Sequence, residues 1–177
     1  MKSIMLLLFA AALSSPALAD ETPKDDPVRY PVTGLTPLEL GRVLKAASTN
    51  VADGVTISSV FVQHSSVSIC TVATRDGKSV AGHTLVFKPS RQSWSPSEKA
   101  QPVHQTRTTG LPLKEFISFV SSLSLGPEIL SIEVVSESKL IVCTGYEAGP
   151  EAAKGRDLTY EKQDGKWKMT KEGMWIS

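Results

Sequence analysis

The two cysteines are the side chains of this 177-residue chain whose type and spacing could support chemistry. Cys70 ends the segment Val-Ser-Ile-Cys and Cys143 ends the near copy Leu-Ile-Val-Cys, and a threonine follows each. Residues 1–19 are typical of a signal peptide, and in an exported chain a disulfide is the expected state of two cysteines. Equivalent positions near a twofold axis can also lie close enough for the bond. We therefore predict a Cys70–Cys143 disulfide, with two buried free thiols as the alternative.

Neither the cysteines nor the other residues of the sequence form a pattern that indicates an enzyme. A cysteine in mid-strand lacks the helix N-terminus that would lower its pKa for catalysis. His64, His83 and His104 do not stand at a spacing from another His, Cys or carboxylate that suggests a metal site. The sequence contains no G-x-S-x-G, H-E-x-x-H, P-loop or dinucleotide-binding glycine pattern. We therefore predict no catalytic residue, no metal site and no cofactor.

Trp94 and Phe61 are the candidate residues for an interaction surface. Trp94 lies in the Pro/Ser-rich segment 89–96, and exposed tryptophan is common at binding hot spots. The register that aligns the two cysteines also aligns Trp94 with Trp167, which favours a core position instead. Phe61 falls on the strand face that carries the cysteines, where an apolar side chain calls for a cover.

These residues belong to an internal repeat. A shift of 73 residues, from 70 to 143, aligns threonine, glycine, leucine and aromatic residues without a gap. The aligned residues are Thr71 with Thr144, Gly82 with Gly155, Leu85 with Leu158, Phe87 with Tyr160 and Trp94 with Trp167. A shift of 72 aligns 59–62 with 131–134, and a shift of 76 aligns 33–44 with 109–120. We therefore interpret the chain as two copies of one unit that differ in loop length.

Each copy is predicted to be one helix followed by four strands. The first helix begins with Thr36, Pro37 and Glu39, which form an N-cap signature, and then buries an apolar stripe of Leu40, Val43, Leu44 and Ala47. Pro112 opens the second helix, which buries Phe116, Phe119, Val120 and Leu123. β-branched segments between turn residues predict strands at 55–62, 67–74, 79–88, 101–106, 129–135, 139–146, 155–163 and 166–170. The predicted fold class is α+β, with two tandem α-β-β-β-β repeats at 33–108 and 109–177 and antiparallel sheets.

Strand alternation predicts how the two copies pack. Val67, Ile69 and Leu140, Val142 share the face under their helices, so the cysteines point to the other face. The preferred cover for that face is the other copy, with two sheets back to back, helices outside and a pseudo-twofold axis between them. The alternative is one long curved sheet joined edge to edge, whose open face meets a partner. This layout is similar to cystatin-like folds and to secreted inhibitor proteins made of tandem helix-plus-sheet repeats, a resemblance that implies a binding role and assigns no residue.

The first residues predict export. Lys2, the apolar run 4–13 and the Ala-Leu-Ala sequence at 17–19 are typical of a signal peptide, here 1–19. The apolar run is too short for a membrane span, and we predict no span after cleavage. Segment 20–32 is polar and is predicted to be a disordered leader. Without Lys2 the chain is formally neutral, which argues against nucleic acid as the partner. The predicted location is periplasmic or secreted.

The sequence favours an exported, non-catalytic binding or interaction module that acts through sheet faces or hairpin loops. An inhibitor and an envelope-associated protein both fit this hypothesis, and the partner is an unknown protein or small ligand. The alternative is a small-ligand-binding or enzymatic cone-like α+β domain, with a pocket between helix and curved sheet. That alternative requires scattered polar residues such as His83, Asp157 and Glu133 to converge. A third hypothesis is a structural envelope protein.

Overall fold

The computed structural model of the chain describes residues 34–51, 54–63, 66–75, 78–80, 82–90, 93–97, 101–102, 109–124, 128–149 and 152–176. The predicted signal peptide 1–19 and leader 20–32 lie outside the described residues, as do His64 and His104. Within these ranges, no helix is long and apolar enough to cross a membrane.

Two helices form where the sequence predicts them. Helix α1 spans Pro37–Ala47, and its predicted N-cap is confirmed: the Thr36 hydroxyl accepts a hydrogen bond from the Glu39 backbone N–H, while the Glu39 carboxylate accepts one from the Thr36 N–H. Helix α2 spans Leu113–Ser122 and has no side-chain cap. The predicted apolar stripes are the buried faces, Leu40, Val43, Leu44 and Ala47 in α1 and Phe116, Phe119 and Val120 in α2. Leu123, also predicted for the α2 stripe, follows the last helical residue as the C-cap and is half-buried.

The described strands form one antiparallel sheet. They are β1 Val55–Gln63, β2 Ser66–Arg75, β3 Lys78–Val80, β4 His83–Ser90, β5 Ser93–Pro96, β6 Gln101–Pro102, β7 Leu111–Pro112, β8 Ile129–Ser136, β9 Lys139–Gly149, β10 Ala152–Gln163 and β11 Lys166–Ile176. The order across the sheet is β11-β10-β9-β8-β1-β2-β4-β5, with β3 beside β2, β6 beside β4 and β7 beside β1. Part of the segment predicted as a loop, 89–96, is strand β5, and β11 is longer than predicted. The α+β fold class is therefore confirmed.

The predicted back-to-back packing of two sheets is wrong. The two sets of strands join edge to edge where β1 pairs with β8, with Val60 opposite Ile132, Ser59 opposite Glu133 and Phe61 opposite Ser131. Both helices then pack on the same face of this sheet, around one core to which both sets of strands contribute. In this joint the backbone N–H and C=O groups of two strand edges are hydrogen-bonded to each other. Both edges would otherwise be exposed.

The predicted Cys70–Cys143 disulfide is also wrong, because both cysteines are free. Cys70 lies on β2 and Cys143 on β9, and strands β1 and β8 separate them in the sheet. Three strand spacings place the two backbones about 14 Å apart. A disulfide requires Cα atoms within about 7 Å of each other.

The core lies between the helices and the sheet. Val67 and Ile69 of β2 and Leu140 and Val142 of β9 are fully buried there, as strand alternation predicts. At one end, the Phe119 ring of α2 contacts the rings of Tyr160 and Trp167 edge to face, at centroid distances of 5.2 and 5.4 Å. Such pairs add to the free energy gained from burying the rings.

The segment before each helix pairs with the first strand that follows the other helix. Leu35, before α1, exchanges two backbone hydrogen bonds with Ile129 of β8, at 3.0 and 2.8 Å. Leu111, before α2, pairs with Ile57 of β1. The two halves of the chain are therefore interlocked and not merely adjacent.

A second contact occurs in both halves. The Thr71 hydroxyl donates to the backbone carbonyl of His83 at 2.9 Å, and the Thr144 hydroxyl donates to that of Arg156 at 3.3 Å. Each acceptor follows a glycine, Gly82 or Gly155, and a Cβ on either glycine would overlap the carbonyl oxygen of the same threonine. These two positions require glycine because of this close backbone approach.

Candidate functional site

The face of the sheet opposite the helices, called here the open face, carries two rows of side chains across six neighbouring strands. Strand pairing sets both rows, since directly opposed residues point to the same side. The first row contains Val86, Ser68, Phe61, Ser131, Cys143 and Asp157. The second contains Thr84, Cys70, Ser59, Glu133, Ile141 and Thr159. Apolar, hydroxyl, thiol and acidic side chains are therefore interleaved on one surface.

Phe61 occupies the middle of the open face, on the central strand β1. Its direct neighbours on β2 and β8 are Ser68 and Ser131, so no large side chain flanks the ring within its row. The residue is half-buried. Its part in an interaction surface stays a prediction.

Trp94, the other candidate, is not on this face. It lies on β5 opposite Pro89, on the helix side of the sheet, where it is half-buried and packs against the core. Trp167 packs against the same core from β11. The alternative interpretation of Trp94, as a core residue aligned with Trp167, describes its environment better.

Cys143 lies at the centre of a small polar cluster on the open face. Burial raises the pKa of its thiol to about 11, with a hydrogen bond and the negative charge of Asp157 contributing in the same direction and Glu133 adding a weaker charge effect. The Trp175 indole opposes this and lowers the pKa, although its buried Nε1–H makes no hydrogen bond of good geometry within the described residues. Because the thiol is protonated at neutral pH, it is a poor nucleophile.

Cys70 has a different neighbour. Its sulfur lies 3.6 Å from the Thr84 hydroxyl of β4, and the side chain is almost fully buried. Burial and an uncharged partner are typical of a cysteine that packs as a small apolar residue. Thus neither thiol has the environment of a reactive cysteine.

From the sequence, Trp175 is expected to hold the C-terminal segment against the sheet, and it is not among the candidate site residues. It pairs with Gly155 of β10, which in turn pairs with Gly145 of β9, and the indole lies against both glycines. A Cβ at either position would collide with the ring. An open pocket of about 430 Å³ lies beside it, lined by Thr144, Gly145, Lys154, Gly155, Arg156, Met174, Trp175 and Ile176. The signal in the sequence was two glycines in neighbouring predicted strands, with a tryptophan near the C-terminus.

The three polar residues considered for a pocket are only partly brought together. Glu133 and Asp157 both face Cys143, from the strands on either side of β9. His83 precedes Thr84 on β4 and so lies on the opposite side of the sheet, where it is exposed. In the described part of the chain, no three His, Cys, Asp or Glu side chains are grouped closely enough to hold a metal ion.

The space between helices and sheet is filled by the apolar core, and the pockets lined by described residues open to solvent elsewhere. No family model, curated protein or solved structure matches this chain.

Proposed function

We propose that the protein is an exported, non-catalytic binding module that contacts a protein partner through the open face of its sheet. The observation that carries this proposal is that both helices pack on one face of the sheet, while the other face presents Phe61 at its centre. A non-obligate protein interface has a core enriched in aromatic side chains and a polar rim, and Phe61 with the polar side chains around it fits that arrangement. A secreted enzyme or an envelope protein would be a partner of the required kind.

The proposal includes a duplicated architecture of two tandem α-β-β-β-β repeats, 33–108 and 109–177, with a cystatin-like layout. In support, Val60 and Ile132 are aligned by the sequence repeat and lie directly opposite each other at the β1–β8 joint, as residues on a pseudo-twofold axis do. The crossed pairs Leu35–Ile129 and Leu111–Ile57 are also exchanged by that axis. Strands β5 and β6 pair with β4 in the first half, as β11 pairs with β10 in the second.

Export is supported by the sequence of 1–19, and the periplasm or the cell exterior is the proposed location. The formally neutral remainder of the chain supports a protein partner over nucleic acid. The protonated Cys143 thiol and the separation of His83 from the two carboxylates support a role that is not catalytic.

Capture from the envelope and secreted fractions of the source tests the proposal. The immobilised protein should retain a specific partner, and Phe61→Lys should lose it because a charge would be placed at the centre of the contact. Met169→Lys is the matched control, since Met169 is 52 % exposed on β11, away from Phe61. Circular dichroism would establish that both variants are folded. A partner that binds Phe61→Lys as well as wild type, or no partner at all, would contradict the proposal.

A second candidate function is small-ligand binding at the pocket beside Trp175. The indole of Trp175, which lies against Gly145 and Gly155 at the pocket, favours it, because aromatic walls are common in small-molecule sites. The pocket volume of about 430 Å³ is within the range of small-molecule sites. A screen of small polar ligands by tryptophan fluorescence, with Trp175→Phe as the control, separates this candidate from the first.

A further inference from the structure

A groove runs between α1 and α2 on the side away from the sheet. Its volume is about 620 Å³ and it is open along its length. The α1 side contributes Thr36, Pro37, Leu38, Gly41, Arg42 and Lys45, and the α2 side contributes Ile117, Ser121, Leu123 and Ser124. It is separated from the open face by both the sheet and the core, so it is independent of the proposed function.

Gly41 creates the hollow in this groove. It lies in the interior of α1, where glycine weakens a helix relative to alanine. A Cβ at this position would have no heavy atom within 4 Å, so neither close packing nor a turn requires glycine here. The residue aligned with it in α2 is Ile117, on the facing wall. The absence of a side chain on α1 therefore leaves room that the molecule itself does not use.

The lining of the groove is apolar with positive charge at the rim. Leu38 is 69 % exposed, and Ile117 and Leu123 are half-buried. Arg42 and Lys45 are exposed one helical turn apart, and neither forms an ion pair with another described residue. No acidic side chain is among the described residues that line the groove. Its charge is complementary to a carboxylate-bearing ligand with apolar groups.

We propose that this groove binds a short acidic peptide segment of a partner protein. The apolar side chains of the peptide lie over Gly41 against Leu38 and Ile117, and its carboxylates pair with Arg42 and Lys45. A peptide fits better than a lipid acyl chain because the groove is open and its α2 rim carries the exposed hydroxyls of Ser121 and Ser124, which can bond to a peptide backbone.

Selection from a phage-displayed library of short random peptides tests this site without assuming a sequence. Peptides enriched on the purified protein should combine carboxylates with apolar residues, and synthetic copies should bind with a Kd that rises with salt. Gly41→Leu, which fills the hollow with a good helix former, should raise the Kd at least about tenfold. Arg42→Ser with Lys45→Ser, the residues that α2 has at the aligned positions, should weaken binding and its salt dependence.

Lys114→Ser is the matched control, because Lys114 is exposed on α2 and does not line the groove. Several results would overturn the proposal: no saturable binder, binders without an acidic bias, or binders unaffected by Gly41→Leu while that variant melts no lower than wild type. Binding to vesicles of phosphatidylglycerol that Gly41→Leu abolishes, in the absence of peptide binding, would replace the peptide with an anionic lipid surface.

Discussion

Cys70 on β2 and Cys143 on β9 occupy aligned positions. The neighbouring strand places a hydroxyl group beside Cys70 and a carboxylate beside Cys143. Cys70 is buried against Thr84, whereas Cys143 is half-buried and faces Asp157 and Trp175. The backbone contacts around them are alike, since Thr71 and Thr144 each donate to the carbonyl after a glycine. The two halves therefore share their backbone framework and differ in the side chains that face outward.

The outer sides of the helices differ in the same way. Their inner faces bury apolar residues at aligned positions, but Gly41 and Arg42 of α1 stand where α2 has Ile117 and Ser118. Surface positions can change without cost to the core, so they can acquire separate binding roles.

The largest effect is expected from the shared framework. Gly82→Ala and Gly155→Ala should each lower the free energy of unfolding by about 3 kcal/mol, because the added methyl group overlaps a threonine carbonyl oxygen. Urea unfolding of both variants measures this. If one variant were as stable as wild type, the close backbone approach would not be common to both halves.

The interlocked pairs should respond unequally. Leu111 is buried and Leu35 is half-buried, so Leu111→Ala should cost about 3 kcal/mol of unfolding free energy and Leu35→Ala about half as much. Urea midpoints with unchanged slopes would check the order. A larger loss in Leu35→Ala would show that the joint at β8 contributes more than the joint at β1.

A smaller effect, of opposite sign, is expected on α1. Gly41→Ala should raise the free energy of unfolding by about 1 kcal/mol, since the methyl group meets no atom and the helix gains propensity. Thermal melts of this variant and of Gly82→Ala side by side would separate a glycine that leaves space from one that close packing requires. A destabilised Gly41→Ala would contradict that distinction.

The smallest effect is expected from replacing the residue beside the Cys143 thiol. Asp157→Thr gives Cys143 the same neighbour as Cys70. The pKa of the Cys143 thiol should then fall from about 11, because the hydrogen bond to Asp157 and its negative charge both oppose the thiolate. It should stay above the ordinary thiol value, since burial is the largest cause. Thiolate absorbance against pH measures this, with Cys70→Ala as the background. An unchanged pKa would remove Asp157 as a cause.

The same raised pKa makes stability depend on pH. The unfolded thiol releases its proton near the ordinary value, below the folded pKa of about 11, so the folded state binds more protons in that interval. The contribution of Cys143 is therefore complete below the unfolded pKa and is lost as pH rises through 11. In Asp157→Thr the loss should begin at the same pH and end earlier.

Much of the framework could be predicted from residue patterns, because local signals determine it. Thr36 and Glu39 specify the start of α1, and strand alternation placed Val67 and Val142 under the helices. The wrong predictions concern relations between strands distant in sequence. Alternation shows which face Cys70 occupies but not whether the edge of β1 pairs with β8, and that pairing decides both the sheet arrangement and the cysteine separation. The Cys143–Asp157 contact depends on the register of the β9–β10 hairpin, which contains a shift between Ala152 and Ala153 that alternation does not reveal.

The crossed pairing of Leu35 with Ile129 has a consequence for the order of events during folding. Leu35 finds its partner on β8 only after most of the chain has been synthesised, whereas Leu111 pairs with Ile57, which precedes it in the chain. Contacts between such distant residues slow folding, because long loops must close before the contacts contribute. The N-terminal half therefore has no complete native state of its own on the ribosome, and the two halves reach their final structure together.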